Sequence, residues 1–227
     1  MEQPTTASLE DTAPGYPPPA RSERHWPPQL IVAIAIALQL LLPDRLSVGK
    51  HWFVPSIEAV MLVSLIIASP QVIKDRHRTR RRIAVVLSAL ASTANGISLA
   101  LLCHLLFKSN PPGGHALIIS GALIWLTNVM VFSLWYWEMD RGGPGFRAAG
   151  EDGPPDFLFP QMSEPELCRG WRPVFFDYLY VSLTNAVAIS PTDTMPLSLM
   201  AKLIMGVQSL ISLVTIGLVI SRAVNIL

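Results

Sequence analysis

Long apolar runs, separated by short charged or Pro- and Gly-rich stretches, constrain this chain more than any other feature. Hydrophobic residues make up 51% of the 227 residues and charged residues only 15%. A soluble domain would need polar side chains on every helix or strand, whereas here whole windows of helix length contain almost none. The pattern therefore predicts an all-α fold, a polytopic transmembrane helical bundle.

Six apolar segments follow one another and differ in length. A helix needs about 20 residues to cross the hydrocarbon core, with a tolerated range of roughly 17 to 25. The second, third, fourth and sixth segments meet that length. The first is short, and the fifth is short and carries Asp177, Thr184 and Asn185, so we expect five to six spans. The segments are residues 30–42, 52–69, 83–107, 116–137, 173–190 and 197–220.

Four regions follow from these segments and from the composition between them. Residues 1–28 contain seven prolines and lack a basic start followed by an apolar core, which predicts a disordered cytoplasmic tail and no cleaved signal peptide. We expect a four-helix transmembrane region over residues 29–137, a Gly- and Pro-rich linker over 138–172 and a helical hairpin over 173–227.

One loop sets the predicted orientation. Residues 74–82 read KDRHRTRRR and carry six Lys or Arg against a single Asp. Because positive charge is retained on the cytoplasmic side, this loop, the N-terminus and the 138–172 linker are all expected inside. The expected location is a plasma membrane of the bacterial inner-membrane type. Attraction to anionic headgroups accounts for the basic run, so the lipid bilayer is the expected partner and nucleic acid is not.

A short apolar segment, a Pro-bearing polar stretch and a longer apolar segment end the chain. Five residues there share one ungapped spacing with a known pore architecture: Tyr180, Ser182, Asp193, Pro196 and Lys202. With them, residues 179–203 resemble the pore region of the potassium-channel superfamily, where a pore helix, a T-V-G-Y-G-D filter and an inner helix follow in order. The resemblance implies a channel-like C-terminal hairpin and a homo-oligomer, a tetramer if it forms a pore. The whole chain also resembles uncharacterised bacterial multi-span membrane proteins.

The filter positions depart from that family. Residues 189–193 read ISPTD where the family has V-G-Y-G-D, so both glycines are missing. Pro191 fixes φ at about −65° and removes an N–H, whereas the family surrounds potassium with a ring of backbone carbonyls. We therefore expect no potassium-selective filter, and instead a non-selective, hydroxyl-lined or closed pore. The pore-lining candidates are Thr184, Asn185, Ile189, Ser190, Pro191, Thr192 and Asp193.

The same polar stretch has a simpler interpretation as a helix boundary. Asp193 or Thr194 could cap the last helix with Pro196 in its first turn, and Ser190 with Pro191 would then close the turn before it. The sequence also leaves two topologies for the fifth segment, a full crossing of the membrane or re-entry. Channel pore helices re-enter from outside, whereas the basic loop places the preceding linker inside, which favours a full crossing and six spans.

Six further polar side chains fall within apolar segments. In a bilayer such side chains face the bundle interior, where they join helices by hydrogen bonds or serve a transport path. The carboxyl group of Glu58 is a candidate for a cation-coupled carrier, or it lies near the outer interface. Gln208, Ser212 and Thr215 recur at helical spacing, which fits either hydrogen bonds between helices or a cavity that faces the Pro-bearing polar stretch. The six are Glu58, Asn95, Asn128, Gln208, Ser212 and Thr215.

Catalytic and metal-binding patterns are not found in this sequence. It contains no HExxH, no GxSxG and no Gly-rich phosphate loop followed by Lys. Cys103 and Cys168 form no CxxC pair, and His104 points about 100° away from Cys103 on a helix. We therefore expect no enzyme, no cofactor and no metal. Passive permeation of ions or small solutes is the first functional hypothesis, and a non-conducting scaffold or accessory subunit, or a cation-coupled carrier, are the alternatives.

Overall fold

The computed structural model describes residues 26–46, 53–68, 76–106, 113–149, 153–164, 166–187 and 193–224. This part of the chain is mostly helical, which confirms the expected all-α class. The helices are α1 Trp26–Leu40, α2 Phe53–Ala68, α3 Arg76–Leu106, α4 Gly114–Met139, α5 Pro144–Ala149, α6 Pro160–Ser163, α7 Phe175–Val187 and α8 Leu199–Val224. Two 3₁₀ turns, Asp44–Leu46 and Asp140–Gly142, and two short strands, β1 Phe157–Leu158 and β2 Met195–Pro196, complete the elements.

Three of the described helices are long and apolar enough to cross a membrane. They span Thr79–Leu106, Gly114–Gly142 and Leu199–Arg222. The helices α1 and α2 have 15 and 16 residues, and α7 has only 13. Helices long and apolar enough to span a membrane are therefore present at three of the predicted apolar runs, while a total of five to six spans stays a prediction. The tail predicted over residues 1–28 lies outside the described residues except for its last three, which form the first turn of α1.

The central helix of the bundle is α4, which packs against α1, α3, α7 and α8. Its buried side chains include Val129, Val131 and Phe132, each at most 5% exposed. A helix that is apolar on all sides is covered by other helices or by lipid, and α4 has the largest buried share, 61%, of the three long apolar helices. The helices α1, α3, α7 and α8 are therefore positioned by what they contact on α4, and α2 packs on α1 and α3.

Both α3 and α8 run antiparallel to α4. On α3, Ser92 Oγ accepts the indole N–H of Trp135 at 2.9 Å, and the later residue Leu102 lies near Gly121, towards the start of α4. On α8, Ser212 Oγ accepts the Asn128 amide at 2.9 Å, and the later residue Val219 also lies against Gly121. The N-terminal ends of α3 and α8 consequently lie beside the C-terminal end of α4. We call this end of the bundle the linker end, because the segment that follows α4 begins there.

A glycine permits the closest approach of α4 and α8. A Cβ added at Gly121 would overlap the Cγ2 atom of Val219. Small residues at such crossings let two helix backbones approach closely, and close packing is a main source of helix association in lipid. The contact between Gly121 and Val219 therefore fixes the spacing of the two helices.

We predict that Gly121→Ala lowers the free energy of unfolding by about 1–3 kcal/mol, because the added methyl group overpacks this crossing. Chemical unfolding in mild detergent measures the change. Adding Val219→Ala should restore most of the loss, and Gly217→Ala, at a position with open space around it, is the matched control. Equal stability of Gly121→Ala and Gly217→Ala would contradict the prediction.

Candidate functional site

The segment from α7 to α8, which we call the α7–α8 unit, begins with a helix too short to cross a bilayer. The 13 residues of α7 rise about 20 Å, against about 30 Å of hydrocarbon. Its first turn is closed locally, because Asp177 Oδ2 accepts the backbone N–H of Val174 at 2.7 Å. This bond is one half of a capping box, and it fixes where the helix starts.

Three hydrogen bonds place α7 against α4. They are Tyr178 Oη to Asp140 Oδ2 at 2.6 Å, Ser182 Oγ to Val129 O at 2.7 Å, and Trp125 Nε1 to Ala186 O at 3.5 Å. The partners on α4 move from its end towards its middle as α7 proceeds. The helix α7 therefore runs antiparallel to α4 and ends level with the middle of α4.

The chain is back at the linker end a few residues later. Strand β2 pairs antiparallel with β1, with Phe157 opposite Pro196, and the backbone N–H of Leu197 donates to Asp156 O at 2.8 Å. Asp156 is itself bound to the end of α4, since its backbone N–H donates to Asp140 Oδ1 at 2.8 Å. The start of α7 and the start of α8 thus lie at the same end of α4.

A buried carboxylate holds these parts together. Asp140 is fully buried and accepts the two hydrogen bonds just described, one from Asp156 on Oδ1 and one from Tyr178 on Oδ2. The Nε atom of Arg141 lies 3.8 Å from Oδ2. A buried carboxylate is stable only when its oxygens are satisfied and its charge is balanced nearby. We call Asp140, Arg147, Asp156 and Tyr178 the Asp140 clamp.

Arg147 contributes to the clamp through the backbone and through two rings. Its Nη1 donates to the carbonyl oxygens of Asp140 at 2.6 Å and Trp137 at 3.0 Å, which are among the last carbonyls of α4 and its 3₁₀ turn. Its guanidinium carbon lies 5.5 Å from the ring centre of Tyr178 and 5.9 Å from that of Trp137. A cation at the C-terminal end of a helix is favourable, and the ring faces add to the attraction.

A left-handed turn directs the chain from α4 into the clamp. Arg141, Gly142 and Gly143 have φ values of 53°, 84° and 102°. A Cβ at Gly143 would lie 2.9 Å from the carbonyl oxygen of Glu138, so glycine is required there both by its conformation and by space. The strained residue, Arg141, is held because its backbone N–H donates to Asp156 Oδ2 at 3.2 Å.

Aromatic rings fill the space beneath β1. Phe157 is fully buried, with its ring centre 5.2 Å from that of Tyr136 and 6.4 Å from that of Tyr178. Phe159 lies 5.5 Å from Tyr178 in an edge-to-face arrangement, which is a favoured geometry for aromatic pairs. The strand that holds β2 is therefore anchored by apolar packing as well as by hydrogen bonds.

A second polar cluster joins α4, α7 and α8 deeper in the bundle. Gln208 is fully buried, and its Nε2 donates to Ser182 O at 2.9 Å and to Ser182 Oγ at 2.7 Å. Its Oε1 accepts from Asn185 Nδ2 at 2.9 Å and from the hydroxyl of Tyr136. Such bonds hold helices together in lipid, where apolar burial gives little preference between neighbours.

Asn185 forms the other half of this cluster. Its Nδ2 donates to the carbonyl oxygen of Met205 at 3.0 Å, and its Oδ1 accepts the hydroxyl of Ser209 at 3.0 Å. The last turns of α7 are thereby tied to the second and third turns of α8. The two helices of the unit are fixed to one another as well as to α4.

The remaining polar candidates lie at contacts between helices or against their own helix. Asn128 is buried and donates to Ser212 and, at 3.3 Å, to the carbonyl oxygen of Gln208. Thr215 is buried and donates to the carbonyl oxygen of Ile211 on its own helix at 2.7 Å. Glu58 and Asn95 are buried on α2 and α3. Glu58 accepts Gln39 Nε2 of α1 at 3.3 Å.

The predicted pore-lining residues fall into three groups. Asn185 lies in the cluster around Gln208, and Thr184 is half-buried with its hydroxyl donating to Tyr180 O at 2.8 Å. Asp193 is exposed at the linker end. Residues 189–192, which carry the other four candidates, lie outside the described residues.

The expected cap of the last helix is corrected by the structure. The helix α8 begins at Leu199, and the hydroxyl of Ser198 accepts the backbone N–H of Ala201 at 3.1 Å. Ser198 is therefore the N-cap, and neither Asp193 nor Thr194 takes that position. Pro196 does not lie in the first turn, because it pairs with Phe157 in the two-stranded sheet.

Sequence reasoning missed the Asp140 clamp. Its members lie in or next to the segment interpreted as a linker, and the only sequence signal was the Gly-Gly-Pro run that follows Arg141. No protein family, no curated protein and no solved structure matches this chain. The function therefore has to be inferred from the contacts within the chain itself.

We predict that Tyr178→Phe lowers the free energy of unfolding by about 1.5–3 kcal/mol, because it removes a hydrogen bond to a buried carboxylate. Tyr180→Phe is the matched control, since the Tyr180 side chain is on the same helix and 61% exposed. Chemical unfolding of both variants in the same detergent compares them. A loss in Tyr178→Phe no larger than that in Tyr180→Phe would show that the clamp contributes nothing.

Proposed function

We propose that this is an integral membrane protein whose α7–α8 unit forms a re-entrant, channel-like hairpin, and that an oligomer of it passes ions or small solutes. One observation carries the proposal. The helix α7 starts at the linker end, ends level with the middle of α4, and is followed by a strand that is back at the linker end. In a bilayer, this path favours a re-entrant segment, which enters halfway and returns to the same side. The basic loop had instead favoured a full crossing.

The proposed re-entrant path would place the residues between Val187 and Asp193 at membrane depth, where they could line a path for solutes. Irregular backbone is tolerated in hydrocarbon only where protein or water covers it, because uncovered N–H and C=O groups lose their hydrogen bonds. The five residues between Val187 and Asp193 read AISPT and include two hydroxyl side chains. A water-filled path lined by hydroxyls and by the carboxylate of Asp193 would satisfy these groups and would favour cations.

The exposed face of α8 supports an oligomer. Only 22% of the apolar window of α8 is buried within one chain, against 61% for α4, so most of α8 remains for lipid or for other copies. Its exposed side chains include Leu203, Val207 and Leu210, next to the buried cluster that holds α7. A ring of copies, a tetramer if the channel resemblance holds, would cover this face and place the hairpin turns around a common axis.

The sidedness of the hairpin follows from the basic start of α3. Arg81 lies at the linker end, with its Nε atom 3.6 Å from the position that a Cβ would take at Gly143. If the positive-inside rule holds for the run around Arg81, the hairpin opens towards the cytoplasm of a bacterial-type plasma membrane. The N-terminal end of α1 lies on the same side, since Pro28 and Glu138 line one cleft.

Flux through liposomes tests the proposal. We expect reconstituted protein to release trapped small cations, because the sequence between Val187 and Asp193 carries two hydroxyls and lacks the glycines of a potassium-selective filter. Each of the two single variants, Asp193→Ala and Ser190→Ala, should lower the release to that of empty liposomes without loss of folding. Glu166→Ala, which removes an exposed acid of the linker segment, is the control and should leave the release unchanged.

Each other outcome points to an alternative. No flux of any common ion at any voltage would remove the pore and favour a non-conducting scaffold or accessory subunit. Flux that persists in both hairpin variants would move the path away from the turn. A pH-dependent uptake that disappears in Glu58→Gln, while the hairpin variants keep it, would favour the cation-coupled carrier.

A further inference from the structure

A cleft at the linker end, apart from the α7–α8 unit, combines apolar walls with a charged rim. It opens between α1, α2, α3 and α4, and Val32, Leu62, Leu87 and Leu134 are among its walls. Arg80, which is partly exposed, supplies the charged rim, and Glu138, only 4% exposed, belongs to a wall. Apolar walls below a charged rim at the end of membrane-length helices match an amphipathic molecule that lies at the bilayer boundary.

The positive charge of the rim continues beyond the cleft. A second depression next to it is lined by Arg80, Arg81 and Glu138 together with residues 142–146. Arg81 and Arg82 are exposed at the start of α3. Two arginines thus line the second depression with one glutamate, and Arg82 follows them on α3, so the net charge of this rim is positive and attracts an anion.

We propose that this cleft binds one anionic phospholipid, with its phosphate between Arg80 and Arg81 and one acyl chain along Val32, Leu62 and Leu87. The cavity volume of the cleft is only about 30 Å³, too small to enclose an acyl chain. A chain would therefore lie along the surface. Leu30, Val63 and Val86 are each at least half exposed on the same three helices and continue the apolar surface.

The bound lipid would act on the Asp140 clamp. Trp137 and Glu138 form one wall of the cleft, and Asp140 follows two residues later. Arg147 donates hydrogen bonds to the carbonyl oxygens of both Trp137 and Asp140. A lipid that steadies this wall therefore stabilises the attachment of α7, whether or not the protein conducts, so the inference does not depend on the proposed pore.

Lipid titration of the purified full chain in detergent, followed by native mass spectrometry, tests the site. We expect phosphatidylglycerol to bind more tightly than phosphatidylcholine with the same acyl chains. Arg81→Gln should weaken phosphatidylglycerol about five-fold, and Arg80→Gln with Arg81→Gln about 25-fold, because each arginine near a membrane surface contributes about equally. Lys202→Gln removes an exposed charge at the same end of the bundle but outside the cleft, and should leave binding unchanged.

Three results would overturn this assignment. The first is equal affinity for the two lipids, and the second is unchanged phosphatidylglycerol binding in the double arginine variant. The third is full competition by glycerophosphoglycerol, which carries the same phosphodiester headgroup without acyl chains, because the apolar walls would then have no part in binding. Arg81 is exposed, so the single variant keeps the test valid even if removal of Arg80 perturbs folding.

Discussion

A single buried carboxylate determines where the C-terminal part of the molecule lies. Asp140 ends α4, and its two oxygens are bound by the strand that pairs with β2 and by the first turns of α7. A hydrogen bond to a charged group contributes about 1.5–3 kcal/mol, so neither segment can leave without a penalty of that size. The start of α7 and the start of α8 are therefore held at one end of α4, and the residues between them have to turn back.

This constraint changes how the charges of the chain are interpreted. The basic start of α3 and the Asp140 clamp lie at the same end of the bundle, since Arg81 approaches Gly143. If that end is cytoplasmic, the proposed hairpin would enter from the inside, opposite to the pore helices of the potassium-channel superfamily to which the C-terminal quarter was compared. The conflict between the basic loop and a re-entrant segment then disappears without a sixth crossing. The cleft with the arginine rim lies at the same end of the bundle. Binding of an anionic lipid there would therefore influence the position of the hairpin.

The sequence predicts the long helices well because apolar runs are local signals. Segments 83–107, 116–137 and 197–220 correspond to α3, α4 and α8, and α3 starts seven residues earlier because arginines also favour helix. The clamp could not be predicted, since the partners of Asp140 lie 16 and 38 residues away and no spacing rule reaches that far. The spacing of Gln208 and Ser212 showed that they share a face, but only the packing of α8 shows that this face meets α4.

The sidedness of the two ends of the hairpin tests the central claim most directly. Single cysteines at Gly153 and Asp193, both exposed, and at His115 at the other end of α4 would be labelled from each side of sealed vesicles, with Cys103 and Cys168 replaced. A re-entrant hairpin requires that positions 153 and 193 react from the same side and position 115 from the opposite side. Labelling of positions 153 and 193 from opposite sides would mean that the fifth segment crosses the membrane, and would contradict this account.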